Sequence, residues 1–452
     1  MNLVLYHYDV YPKVFLGDRI QCITIQPLGK KSEFISNHSY TVQICKVKES
    51  APKNYPERSG RSTVVTKPDE NGFLRLSAYF EGEGEHFVRV YENPEEKPIF
   101  TLSVYSLFED MAGRFPYRGD LHVHSCRSDG REGPKNVAAY NRAKGLDFTV
   151  ISDHRRYYPS LEAMEAFGDL TDLAIIPGEE IHLPLNDVHY VNFGGTFSVN
   201  ALVTPSKNAE LGEGMEFRSL GGTAPDPMTE EEFREMIRKR SESVPREHES
   251  ERLSFAVLEW IYEQVTEAEG LGIFPHPFWL HPMMQLPEDY IEFVYKNKPF
   301  DAFEVLGGST AYSHNGFQTA FYYKMKAEGI DHPVVGSTDS HSSLEINPNG
   351  NICSTIVFAK ANKRASLIEA IKDRYSVAVD TISKEYRLVG DYRWIQYGAF
   401  LMEHYFPLHD IPCRAEGYYM NRYLAGDTRA EAILRTMKGQ IAEMMEKYFR
   451  FA

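Results

Sequence analysis

The chain lacks paired cysteines. Its five, Cys22, Cys45, Cys126, Cys353 and Cys413, include no Cys-x-x-Cys and are odd in number. That argues against a disulfide scaffold or a thiolate metal site and fits free thiols in a reducing compartment. Basic charge is also short. Lys and Arg total 49 against 64 Asp and Glu, a formal net charge of −15. Phosphate-backbone binding needs Lys/Arg neutralisation over a broad face, so the balance argues against nucleic acid as the main partner. No run approaches the ~18 uninterrupted apolar residues of a membrane span. Residues 1–9 have no basic n-region, no apolar h-region and no small-residue cleavage site, so a cytoplasmic location without membrane attachment is expected. There is no Gly-x-Ser-x-Gly, no P-loop and no cysteine with an obvious base; Cys126 reads as a packing residue.

What is present is ample core material. Of 452 residues, 42% are hydrophobic and 13% aromatic, which suits two or three domains. Residues 1–112 read as a small β-sandwich. Short runs rich in Val, Ile, Thr, Tyr and Phe at 20–25, 40–47, 62–65, 72–78, 86–91 and 99–105 alternate with turn signals. Its His7, His38 and His86 read as surface or strand histidines. From about 116 to 380 the pattern becomes strand, loop, helix, strand. Strands are expected at 121–124, 148–152, 173–177, 188–193, 272–274, 302–306, 334–337 and 376–379, and helices at 136–144 and 365–373. This implies an α/β unit with a parallel sheet and helical crossovers. An insertion at about 196–269 opens with a Gly/Ser/Pro-rich loop at 206–227. A helix at 229–241 follows, entered through the capping-box pair Thr229 and Glu232, and a second at 253–267. Residues 381–452 read as a helical tail with one helix at 433–449, serving either packing or oligomer contact.

Chemistry is concentrated in five short segments, each placing His or a carboxylate at the end of an apolar run. They are Asp120-Leu-His122-Val-His124 with Asp129-Gly130, Ser152-Asp153-His154, Pro177-Gly-Glu179-Glu180 followed by His189, Pro275-His276-Pro277, and Thr338-Asp339-Ser-His341. His-x-His on a strand points both imidazoles to one face, because side chains alternate with period two. A parallel sheet gathers such residues at its carboxyl rim. A lone His, such as His182 or His281, reads more simply as a satisfied core or strand-end residue. The ensemble does not: eleven of the sixteen histidines fall between 122 and 341. Nitrogen and oxygen donors without sulfur suit Zn, Mn or Fe, and there are too many for a single ion.

These motifs, in this order over about 116–380, resemble those of the PHP (polymerase and histidinol phosphatase) superfamily. The β domain ahead of them resembles the carbaryl-hydrolase-like branch more loosely. The resemblance implies a distorted (β/α)7 barrel with two or three divalent metal ions on its rim. Carried over by position, His122, His124, Glu180 and Asp339 would hold one ion. Glu180, His189 and His276 would hold a second, and Asp129, His154 and His341 a third. The Gly-x-Glu pattern selects Glu180 over Glu179, so Glu179→Gln is expected to be mild. Arg155-Arg156, directly after Ser-Asp-His, departs from the family pattern; the pair reads as phosphate or carboxylate ligands or as ordinary surface residues.

The expected reaction is hydrolysis of a small phosphorylated substrate by a metal-bridging hydroxide, with Glu180 bridging the ions and Asp153 or a neighbouring histidine moving a proton. The runner-up is a carboxyl ester, carbamate or amide hydrolase. A metal-binding module without catalysis is the reading from outside the enzymes.

Overall fold

The computed structural model of the chain describes residues 3–48, 61–207, 220, 224–280, 286–307, 312–343, 352–382 and 387–451. His281 and most of the expected 206–227 loop lie outside these residues. Two compact units result. One comprises Met1–Phe115, Tyr392–Pro412 and Gly439–Ala452, the other Pro116–Asp391 and Cys413–Lys438.

The first unit has two sheets. One is antiparallel, ordered β1 (Tyr8–Tyr11), β3 (Arg19–Pro27), β6 (Leu74–Phe80). The other runs β22 (Phe449–Arg450), β2 (Val14–Leu16), β8 (Phe100–Leu107), β7 (Gly84–Tyr91), β4 (Tyr40–Lys46), β5 (Arg61–Thr66). Strict alternation along β6 and β7 buries one face of each strand. Ile23, Ile25, Leu74 and Leu76 from the first sheet and Val42, Ile44, Val88 and Val104 from the second share one hydrophobic cluster. Each such side chain contributes about 1.5–3 kcal/mol on burial. His86 is buried rather than exposed, with its Nε2 2.8 Å from the Ser106 hydroxyl.

The second unit carries the five chemical segments. Its six-stranded sheet is ordered β11 (Ala174–Ile176), β10 (Phe148–Val150), β9 (Phe115–Asp120), β19 (Cys353–Ala359), β20 (Ser376–Asp380), β21 (Arg387–Val389). A five-stranded sheet runs β12 (Gly178–Ile181), β13 (Tyr190–Phe193), β16 (Leu271–Phe274), β17 (Ala302–Leu306), β18 (Val334–Gly336). A short parallel pair, β14 (Val203–Thr204) with β15 (Met228–Thr229), completes it. The sheets are mixed, not parallel throughout. β9, β10 and β11 pair in parallel, as do β16, β17 and β18, but β12, β13 and β16 pair antiparallel. For β12 and β13 the reason is length: residues 182–189 are too few for a helical crossover and make a hairpin instead.

Helix α1 (Pro134–Ala143) starts with Pro134 at its first turn and stops before Gly145, whose φ of +88° suits a helix end. Helix α3 (Glu230–Ser241) is entered through the expected capping box: Glu232 N donates to Thr229 Oγ1, and Thr229 N donates to Glu232 Oε2. It precedes α4 (Glu249–Glu267), and α7 (Arg364–Lys372) follows β19. Helices α2 (Tyr158–Phe167), α5 (Glu288–Asn297) and α6 (Tyr312–Ala327) were not expected from the sequence.

The tail differs most from expectation. It is helical, with α8 (Tyr392–His404), α9 (Phe406–Leu424), α10 (Ala430–Met437) and α11 (Gln440–Tyr448), but it is divided between the two units. The single helix expected at 433–449 is broken at Gly439, whose φ is +94°, and ends in strand β22. Met420 and Leu434 join Val137, Ala138 and Ile151 in one cluster of the second unit. Gly417 permits that packing, because a Cβ there would lie 2.4 Å from Ala143 N and 2.6 Å from Ala139 O. Among the described residues no helix is long and apolar enough to cross a membrane.

Candidate metal centre

Four of the five segments leave the carboxyl ends of strands that pair in parallel. His122 and His124 follow β9, His154 follows β10, His276 follows β16, and Asp339 and His341 follow β18. Glu180 lies within β12, and His189 immediately precedes β13. The expected strand at 121–124 is thus the extended exit from β9. Backbone bonds fasten these exits to one another. Asp339 N donates to His122 O (2.8 Å), His124 N to Ser340 O (2.9 Å), Glu180 N to Ser152 O (3.0 Å) and Arg155 N to Glu180 O (2.9 Å). Isolated parallel bridges join Val123 to Ser340 and His154 to Glu180. Gly130 closes the loop after His124 because a Cβ there would fall 2.8 Å from Ser125 C.

All nine donors named from the sequence converge. His122 Nε2 is 3.1 Å from His124 Nε2 and 3.3 Å from Asp339 Oδ1, and His124 Nε2 is 3.0 Å from the same oxygen. These three residues form one compact donor group. His122, Glu180 and His276 form a second; His124, Asp129, His154 and His341 form a third. Around Asp129, His154 Nε2 lies at 3.4 Å and His341 Nε2 at 3.3 Å. The groups overlap more than the sequence implied, since His122 and His124 each belong to two. His189 Nδ1 stands 2.7 Å from Glu180 Oε1. Arg155, His276 and Asp339 have φ of +60°, +26° and +47°, so three non-glycine residues hold a strained backbone at this one place.

Two residues escaped the sequence reading. His182 forms a further donor group with His154 and Glu180; its Nε2 is 2.8 Å from His154 Nδ1. Glu304 is wholly buried on β17, with Oε2 3.1 Å from His122 Nδ1. A lone acid in the apolar run Ala302-Phe-Glu-Val-Leu306 was the available signal, because an unpaired buried charge is costly.

Asp153 is enclosed by the loop after His124. Its Oδ1 accepts from Ser125 N (2.9 Å), Ser128 N (3.0 Å) and Ser128 Oγ (2.5 Å), and its Oδ2 accepts from Ser125 Oγ (2.6 Å). A carboxylate so engaged holds the 125–128 loop, which favours positioning over proton transfer. Arg155 and Arg156 line a cavity of about 410 Å³ with Ser128, Asp129, His154, His182, His189 and Lys207. Arg155 is exposed and Arg156 half-buried.

Electrostatics sharpens the picture. Burial raises the Glu180 carboxyl, but His189, His154 and His122 around it hold it well below the ordinary carboxylate range. Burial likewise raises Asp339, and His122, His124 and His276 outweigh it downward. Burial lowers the His154 imidazole, yet Glu180 and Asp129 push it up to about 10. For His124 burial wins over Asp339 and Glu180, down to about 4. For His182 it wins over Glu180, also to about 4.

This donor set fits divalent ions. Both Glu180 oxygens, His124 Nδ1 and His189 Nδ1 are buried without a hydrogen bond of acceptable geometry. Two imidazole nitrogens 3.1 Å apart need a proton or a cation between them. Imidazole and carboxylate donors suit Zn, Mn or Fe.

No protein-family model and no curated protein matches the chain. Among solved structures it is similar to a two-domain protein from Bacteroides vulgatus containing a predicted PHP-like metal-dependent phosphoesterase. Identity is 15%, coverage 59% of this chain and 65% of that one, just under two thirds, and the TM-score 0.38. A provisionally assigned metal-dependent phosphoesterase from Bifidobacterium adolescentis aligns at 17% identity over 51% of this chain and 89% of that one, TM-score 0.32. An amidohydrolase from Chromobacterium violaceum with bound sulfate and no metal aligns at 15% identity over 50% and 87%, TM-score 0.30.

Proposed function

We propose that the chain is a metal-dependent hydrolase of the PHP superfamily, a phosphoesterase acting on a small phosphorylated substrate. The observation that carries this reading is the division of Glu180. Its Oε2 faces His154 (2.7 Å), His124 (3.3 Å) and His122 (3.4 Å), while its Oε1 faces His189 (2.7 Å) and His276 (3.5 Å). One buried carboxylate addressing two donor sets is the arrangement of a residue shared between two ions. His122, His124, Asp339 and Glu180 would hold one ion, Glu180 with His189 and His276 a second, and Asp129, His154 and His341 a third. Bound ions would supply Lewis-acid polarisation and a water acidified toward neutral pKa.

The chain's own residues do the rest. Arg155 and Arg156 bind anionic oxygens at the cavity wall and orient the substrate, since guanidinium forks match phosphate bidentately and remain charged. Asp153 fixes the loop that carries Asp129. The cavity volume suits a small molecule. The motif order supports a distorted (β/α)7 barrel at 116–380 between an N-terminal β-sandwich and the helical tail. The layout supports the carbaryl-hydrolase-like branch.

The test is elemental analysis of protein purified without chelator and loaded with Mn or Zn, followed by assays on aryl phosphate mono- and diesters and aryl carboxyl esters. Two or three ions per chain and phosphate turnover abolished by chelation are expected. At most one ion, or ester turnover alone, sinks the proposal.

A further inference from the structure

Glu304 has no part in the reading above, yet it is one of the most constrained side chains in the second unit. It sits in the middle of β17, every residue of which is buried. A carboxylate there is expensive unless fully engaged. Both of its oxygens are engaged, and both on donor residues. Oε2 lies 3.1 Å from His122 Nδ1, and Oε1 accepts from His276 N at 3.3 Å. The surroundings are shaped for it: a Cβ on Gly307 would stand 2.0 Å from Oε1. Gln318 Nε2 donates to Glu304 O (3.1 Å), and Asn315 Oδ1 accepts from Gly307 N (2.9 Å), holding the strand end in place.

A neutral imidazole carries one N–H. If His122 Nδ1 donates to Glu304, the lone pair is left on Nε2. That nitrogen is the one 3.3 Å from Asp339 Oδ1 and 3.4 Å from Glu180 Oε2. The opposite tautomer would turn an N–H toward the donor cluster. Carboxylate partners of ligating histidines act in this way, fixing tautomer and ring orientation.

We infer that Glu304 is a positioning residue that holds the His122 ring and tautomer, and the His276 backbone, in the geometry that captures a divalent ion. The inference rests on the metal-centre reading. Its test is Co²⁺ titration of the full chain, read by affinity and by the visible absorption of the bound ion. Wild type is measured first, and failure of wild type to bind Co²⁺ or Zn²⁺ overturns the proposed function itself. Given wild-type binding, Glu304→Ala is expected to weaken one ion by about 10- to 100-fold and to shift the spectrum. Glu304→Gln, which keeps an acceptor for Nδ1 but offers an amide to His276 N, should lose less. In a His122→Ala background the effect of changing Glu304 should shrink to the part exerted through His276 N. Wild-type affinity and spectrum in Glu304→Ala, or the same loss with and without His122, overturns the inference. If Glu304→Ala does not fold, the cycle of Glu304→Gln with His122→Ala decides by the same criteria.

Discussion

Glu179 and Glu180 are adjacent on one strand, both wholly buried, and face opposite ways. Glu180 faces the histidines, while Glu179 accepts from Ser198 Oγ (2.7 Å), Val199 N (2.5 Å) and Asn200 Nδ2 (2.9 Å). Period-two alternation makes this division unavoidable.

The sequence alone suggested that Glu179→Gln would be mild. That expectation concerns activity and metal content; the structure adds a cost in stability. An amide there turns donors toward donors, and loss of charged buried hydrogen bonds should cost about 2–4 kcal/mol of stability. Folded Glu179→Gln protein should still bind its full complement of metal. Glu180→Gln should lose metal from two donor sets even where it remains folded. Thermal melts paired with elemental analysis separate the two. A metal-depleted but stable Glu179→Gln would reverse the assignment.

Asp153→Asn tests positioning against proton transfer. If Asp153 fixes the 125–128 loop, the variant should lose about 2–4 kcal/mol, and its pH–rate profile should keep the wild-type limbs at lower amplitude. Disappearance of one limb with unchanged stability would restore the proton-transfer role.

Metal loading should release protons. In the metal-free protein His154 is pushed up to about 10, so it is protonated at neutral pH, and an ion that takes this imidazole as ligand must displace its proton. Apparent affinity should therefore rise with pH, roughly tenfold per unit for each proton displaced. The sign for metal-free stability is the opposite. A raised His154 stabilises fully below about 6.5, and that contribution disappears as pH rises through about 10. The lowered Glu180 and Asp339 contribute above the ordinary carboxylate range and lose that contribution as pH falls. Calorimetric titration in buffers of different ionisation enthalpy measures the released protons; a pH-independent affinity contradicts the prediction.

Arg155 and Arg156 set the substrate-class test. Replacing both with Met should raise KM for an aryl phosphate at least about tenfold, the ~1.4 kcal/mol that even one lost charged hydrogen bond is worth. A matched neutral aryl ester should change little. If the ratio of the two kcat/KM values stays constant, the arginines do not read phosphate and the ester reading moves ahead.

Much of the candidate metal centre was legible because it is written locally. His-x-His, Ser-Asp-His and Asp-x-His place donors where strands end, and alternation says which way they face. All nine sequence-named donors meet in the structure, and the capping box at Thr229 was readable from four residues. What the sequence could not carry is which strand ends meet and in what register. His122 and Glu304 are 182 residues apart and become partners only when the exit of β9 and strand β17, from two different sheets, come together. His182 looked like any strand histidine until β10 brought His154 beside it. The partners of Asp153 come from the loop after His124, which folds four donors onto it. The antiparallel β12–β13 hairpin and the division of the tail at Pro412 and Gly439 were decided by connection length and packing. Residue type and period fix what a side chain can do, whereas its partner is chosen by the tertiary fold.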